Sequence, residues 1–148
     1  AVELSWLALQ VASANITAHR MTDRIALVQA DWTDGLHGRF DAIVANPPYV
    51  PTDRLARLPR DVQRQPRMSL DGGPDGLRFH RRLLAAADGL LAPGGLIAME
   101  CDEDHAQALR REAQGLRRVR EARVLSDLAG RARAVFIDTA DRSERVPA

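Results

Sequence analysis

Apolar positions along the chain follow two rhythms, short unbroken runs of strand length and longer stretches at helical spacing, and the two alternate. Ala1-Val2-Glu3 reads as the end of a strand that closes on an acid. Ser5 is suited to cap the helix predicted next, in which Leu4, Leu7, Val11, Ala14 and Ala18 recur at helical intervals. Residues 24–30 form a second run, closed by Asp31-Trp32 and then by Gly35 and Gly38 in a loop. Residues 40–45, Phe-Asp-Ala-Ile-Val-Ala, form a third. Residues 50–76 carry four prolines, many arginines and the turn-rich Asp71-Gly72-Gly73-Pro74-Asp75-Gly76, and a connection of that length belongs to a functional loop or to disorder. Phe79, Leu83, Ala87 and Leu90 mark a helix stopped by Pro93-Gly94-Gly95, and residues 96–100 a fourth strand. Ala106, Leu109 and Ala113 mark another helix, ended by Gly115. Residues 119–125 and 134–138 read as two last strands joined through Asp127-Leu128-Ala129-Gly130-Arg131.

Strands alternating with helices predict a doubly wound α/β domain, mostly parallel, ending in an antiparallel pair. The domain is expected over residues 1–139, with residues 140–148 a polar tail that frays. Ligands of such sheets lie beyond the carboxyl ends of the strands. Glu3, Asp31, Asn46 and Glu100 all fall at such ends, and their recurrence there says more than any one of them.

The third strand stops in an unusual way. Asn46-Pro47-Pro48-Tyr49 ends it with two residues that donate no backbone hydrogen bond, and Pro47 restricts Asn46 to extended conformations. A bare proline pair would be an ordinary exit turn. An amide before it and a phenol after it give the turn chemistry. The Asn46 side-chain oxygen and the Pro47 carbonyl are placed to accept both hydrogens of a planar amide or aryl amine. That grip aims the nitrogen lone pair at an electrophile, a gain chiefly of orientation that is worth several kcal/mol. Tyr49 is suited to pack on the substrate group, and its ring face favours a nearby sulfonium cation. The scheme needs no general base, because the proton leaves to water after transfer.

Composition narrows the alternatives. The chain has 148 residues, enough for one core, and a net charge of +1 that gives no whole-molecule argument for nucleic acid or membrane. All 21 basic residues are arginine, which excludes Schiff-base chemistry and a P-loop lysine. The glycines of residues 71–76 accordingly do not make a phosphate loop. Cys101 is the one cysteine, so no internal disulfide forms; it reads as a buried thiol in a reducing, cytoplasmic setting. His19, His37, His80 and His105 show no metal-ligand spacing, and Asp102, Glu103 and Asp104 fit an acidic helix start better than a metal site. No signal peptide or membrane-spanning run is present.

Taken together these residues resemble the class I S-adenosylmethionine-dependent methyltransferases that modify a glutamine side chain of peptide-chain release factors. The resemblance covers nearly the whole chain. Asn46-Pro47-Pro48-Tyr49 is similar to that family's substrate loop, although methyltransferases acting on adenine N6 carry similar loops. More discriminating is Pro66-Arg67-Met68-Ser69-Leu70-Asp71-Gly72-Gly73-Pro74-Asp75-Gly76-Leu77, which resembles the family's Pro-Arg-x-Ala-Leu-x-Gly-Gly-x-Asp-Gly-Leu segment. Residues 127–131 resemble its closing motif. The resemblance implies that Glu3 holds the ribose of S-adenosylmethionine, that Asp31 and Trp32 flank its adenine, and that Asn46 touches both cofactor and substrate. Asn46, Pro47 and Tyr49 would be the catalytic residues, Pro48 a further substrate contact, and no metal would be needed. It also implies a release-factor substrate, a monomer, and no membrane or nucleic-acid partner.

Three departures stand beside the likeness. The family's glycine-rich loop with the strand before it, and its N-terminal helical domain, would precede Ala1. Gln65 stands where the family has Glu, and Asp102 and His105 replace a Gly and a Gln. Two other readings therefore accompany the first: an adenine-N6 or guanine-N2 methyltransferase of RNA or DNA, and a partial catalytic domain unable to bind cofactor alone.

Overall fold

A computed structural model describes residues 1–140. The polar tail of the sequence reading falls, apart from Ala140, outside the described residues. The chain divides into two compact units, Ala1–His37 and the residues from Gly38 onward.

The first unit is β1 (Val2–Glu3), α1 (Trp6–Ala18) and β2 (Val28–Gln29), with β1 and β2 paired in parallel. Ser5 caps α1 as expected, its hydroxyl accepting from the Ala8 amide at 3.3 Å. The buried side chain of α1 is Leu9, whereas Leu7 and Val11 of the expected apolar face are exposed. A groove of about 780 Å³ runs beside α1, lined by Trp6, Leu9, Ser13, Thr17 and Leu27. β2 is shorter than the apolar run of residues 24–30 predicts. β1 offers only two residues to pair with, and Arg24 and Ile25 instead donate to the Met21 carbonyl in a turn.

The second unit carries β3 (Phe40–Ala45), α2 (Arg78–Leu90), β4 (Leu91–Glu100), α3 (Ala106–Gln114), β5 (Val119–Ser126) and β6 (Ala132–Thr139). Its sheet has the order β3-β4-β6-β5, with β3 parallel to β4 and both β6 pairings antiparallel. The α/β class and the closing antiparallel pair of the sequence reading are therefore present. Ile97, Ala98 and Met99 are buried in succession on β4, so both faces of that strand are covered. Around it α2 contributes Leu83, Leu84 and Ala87, α3 contributes Ala106, Leu109 and Ala113, and β6 contributes Val135 and Ile137.

β4 begins five residues earlier than the sequence suggests. Leu91 already pairs with Phe40, and the ladder then skips to Ala42 opposite Leu96. Pro93, Gly94 and Gly95 occupy the irregularity. Gly94 has φ +72°, and a Cβ on Gly95 would meet the Ala92 carbonyl at 2.9 Å. They bulge the strand rather than delay it. The connection of residues 50–76 is ordered, built from three short 3-10 turns and closed by a bridge between Val50 and Asp71.

Candidate active site

The register of the parallel pair builds the second unit's site. Ala45 lies opposite Met99, so Asn46 leaves β3 beside Glu100 at the end of β4. Pro47 is fully buried and anchors the exit, while Asn46 is exposed and its amide makes no side-chain hydrogen bond among the described residues. Val50 then turns the chain back, its amide donating to the Leu70 carbonyl and its carbonyl accepting from the Gly72 amide.

The segment 66–77 is the buttress of this loop. A Cβ on Gly72 would lie 2.7 Å from the Pro48 carbonyl oxygen and 2.8 Å from Tyr49 Cα. One on Gly76 would collide with the Tyr49 carbonyl oxygen and stand 2.5 Å from Cε1 of His105. Gly76 also sits at φ +75°, where only glycine is unstrained. The two glycines let one loop close directly on the backbone of the other. Asp71 fastens the closure: Oδ1 accepts from the Thr52 hydroxyl at 2.7 Å and the Gly73 amide at 3.0 Å, and Oδ2 accepts from Arg67 at 3.1 Å. These bonds, the Thr52 hydroxyl first, hold its carboxyl below the usual carboxylate range. Asp75 is held low in the same way by Arg81, which also grips Glu112.

Around Tyr49 the groups come from three elements. Its hydroxyl lies 3.4 Å from Glu100 Oε1, a long hydrogen bond. Burial first, and then the Glu100 carboxylate, raise the Tyr49 pKa above its ordinary value. His80 on α2, fully buried, meets the Glu100 carbonyl at 2.8 Å through Nε2. A carbonyl only accepts, so Nε2 carries the proton, and burial keeps the ring neutral by pushing its pKa down. Cys101 is buried and its thiol is pushed up to about 11, which makes it the inert thiol expected. No group of three metal-ligating side chains assembles among the described residues.

In the first unit Glu3 ends β1 and Asp31 lies just beyond the same end of β2, the two strands being tied by the Ala30 amide donating to the Glu3 carbonyl at 3.2 Å. Glu3 Oε1 accepts the Ser5 amide at 2.8 Å and keeps further lone pairs. Trp32 stands at φ +60°, a left-handed conformation costly for a bulky residue, and such strain concentrates at functional sites. A carboxylate at the end of each of two paired strands, with a tryptophan next in sequence, is a set of residue types suited to a nucleoside, whose hydroxyls and exocyclic amine are donors. Glu3, Asp31 and Trp32 are of the residue types that would hold the sugar and base of S-adenosylmethionine. Thus Asn46, Pro47, Pro48 and Tyr49 are gathered in the second unit, and Glu3, Asp31 and Trp32 in the first.

The sequence reading did not connect Glu100 and His80 with Tyr49. The signal for Glu100 was its place at a strand end; for His80 there was none beyond a lone histidine in a helix. Residues 127–131 form the β5–β6 hairpin, where Asp127 accepts the Ala129 and Arg131 amides and the Arg131 and Arg133 guanidinium groups. Those bonds, the Arg131 amide foremost, hold its pKa down to about 2.

A model of the methyltransferase small domain matches residues 1–58. The release factor glutamine methyltransferase of Moorella thermoacetica is 47% identical over 90% of this chain and 47% of its own length. The ribosomal protein uL3 glutamine methyltransferase of Bordetella pertussis is 32% identical over 99% of this chain and 44% of its own length. The chain thus spans about half the length of the curated relatives it matches. Among solved structures, a methyltransferase from Pyrococcus furiosus superposes with a TM-score of 0.68 at 18% identity, over 94% of this chain and 61% of that one, which supports the fold alone. In sequence the chain is similar to release factor and ribosomal protein uL3 glutamine methyltransferases over most of its own length, and its α/β fold is that of the methyltransferases.

Proposed function

We propose that the protein methylates the side-chain amide nitrogen of a glutamine in a protein, most directly a peptide-chain release factor, using S-adenosylmethionine. The observation that carries this reading is the exposed, unengaged amide of Asn46 on a loop whose backbone is fixed from behind by Gly72 and Gly76. When bound, S-adenosylmethionine supplies an electrophilic methyl group on a sulfonium. Glu3 would accept from its ribose hydroxyls, and Asp31 and Trp32 would meet its adenine. Asn46 Oδ1 accepts one hydrogen of the substrate amide. The Pro47 carbonyl would accept the other. The Tyr49 ring closes the third side. The nitrogen is thereby turned with its lone pair outward, and the proton it sheds passes to water.

The test is methyl transfer to release factor by the full-length protein. Asn46→Ala is expected to lower kcat/KM by about a hundred-fold or more, because orientation is lost. Transfer at the parental rate would remove Asn46 from the mechanism. A second reading rests on the uL3-modifying relatives: the same site acting on a ribosomal protein. Parallel assays on the two proteins separate them, the true substrate showing the higher kcat/KM.

A further inference from the structure

We propose that Glu100 is a positioning residue for the methyl-transfer site, holding the Tyr49 ring in place by accepting a hydrogen bond from its hydroxyl. The inference rests on the function proposed above and adds a specific residue to it. A tyrosine has two side-chain torsions to lose, and an unrestrained ring would sweep the space the substrate amide must occupy. At Tyr49 both ends are addressed. The Cα end is fixed by the glycines, since Gly72 closes on Tyr49 Cα and Gly76 on the Tyr49 carbonyl. The hydroxyl end points to Glu100 Oε1 at 3.4 Å, across 51 residues of sequence.

An acceptor positions a ring only if the acceptor is itself held. Glu100 is the last residue of β4 and pairs with Ala134 of β6. Its carbonyl receives the Nε2 proton of His80 at 2.8 Å, and the next amide, of Cys101, donates to the Arg133 carbonyl at 2.9 Å. The backbone under the carboxylate is therefore pinned from α2 on one side and from β6 on the other. Other charges act on the phenol too: Arg133 opposes Glu100, and Asp102 reinforces it. Glu100 touches Tyr49, which touches the substrate, so its effect is on orientation and not on proton transfer.

Tyr49 is the one tyrosine of the 148 residues, which gives the inference a readout separate from catalysis. Phenolate absorbance is followed against pH as a difference from Tyr49→Phe, so that only Tyr49 is read in a chain of any length. Tyr49 is expected to ionise at lower pH in Glu100→Gln than in the parent, since the amide has no charge. In the methylation assay Glu100→Ala and Tyr49→Phe are each expected to lose roughly three- to ten-fold in kcat, the worth of one hydrogen bond. The double variant should be no slower than the slower single, because both substitutions cut one tether. Glu100→Gln, which still accepts from the hydroxyl, should recover most of kcat. Losses that multiply, or a phenol that titrates alike in the parent and in Glu100→Gln, would overturn the inference. A parent that transfers no methyl to glutamine would overturn the proposed function instead, while the titration still decides the tie. Glu100→Gln is near-isosteric and keeps the test open if the alanine variant does not fold.

Discussion

Gly76 and Gly130 share almost the same backbone angle, φ +75° and +78°, yet only one of them is crowded. A Cβ at Gly130 would meet nothing within 4 Å, whereas at Gly76 it would drive into the Tyr49 carbonyl and the His105 ring. Alanine at either position bears the left-handed strain of about 1–2 kcal/mol. At Gly76 overpacking adds a further ~1–3 kcal/mol and pushes the loop that carries Asn46 and Tyr49. Urea unfolding of the two variants should therefore differ by about that second amount, and only Gly76→Ala should impair methyl transfer. Equal destabilisation would mean that the loops do not close on each other. The exit of β3 at Asn46 was legible because an amide, two prolines and a phenol in a row constrain one another locally. The segment that holds Gly72 and Gly76 was legible only as a resemblance, and its closure on the Tyr49 loop was not legible at all, since glycines do not announce what they approach. The partnership of Tyr49 with Glu100 was hidden because it depends on β3–β4 register.

At the scale of elements the sheet followed from alternation, with two exceptions that have one cause. β2 came out short and β4 long because strand length is set by the partner as well as by the run of apolar residues. β1 gives β2 two residues, while Phe40 at the start of β3 recruits Leu91 ahead of the Pro-Gly-Gly bulge. α2 is joined to β4 by more than apolar packing, through the His80 bond to the Glu100 carbonyl. Burial holds His80 below its ordinary pKa of 6.5, so the native state keeps it neutral while the unfolded chain takes up a proton near that value. Below it the unfolded state binds more protons, and stability falls as pH falls. The Asp127 hairpin, held at about 2, weakens only in a far more acidic window. Urea midpoints should drop between about pH 7.5 and about pH 5.5, and His80→Gln should flatten that drop while costing about 1–3 kcal/mol at neutral pH. An unchanged slope in His80→Gln would assign the acid sensitivity elsewhere.

At the scale of the whole molecule the apolar side chains are distributed unequally. In residues 1–37 Leu9 alone is buried, and Val2, Leu4, Trp6, Leu7, Val11, Ile25 and Val28 are exposed. The second unit owns the continuous core through β4, β6, α2 and α3. Local opening costs little where few apolar contacts are lost, so stability within one chain need not be uniform. Its two-residue strands give the first unit few ladder bonds in compensation. Hydrogen exchange on the 148-residue chain should therefore show α1 amides exchanging orders of magnitude faster than those of β4 and β6. Protection of α1 equal to that of β4 would mean that the first unit is stabilised by more than its own packing. The consequence for function is specific. Glu3 and Asp31 belong to the unit with one buried apolar side chain, and the Asn46 loop to the unit with the continuous core. Binding at Glu3 and Asp31 would have to order its own site, and that cost appears as weakened affinity, whereas the clamp stands ready-made.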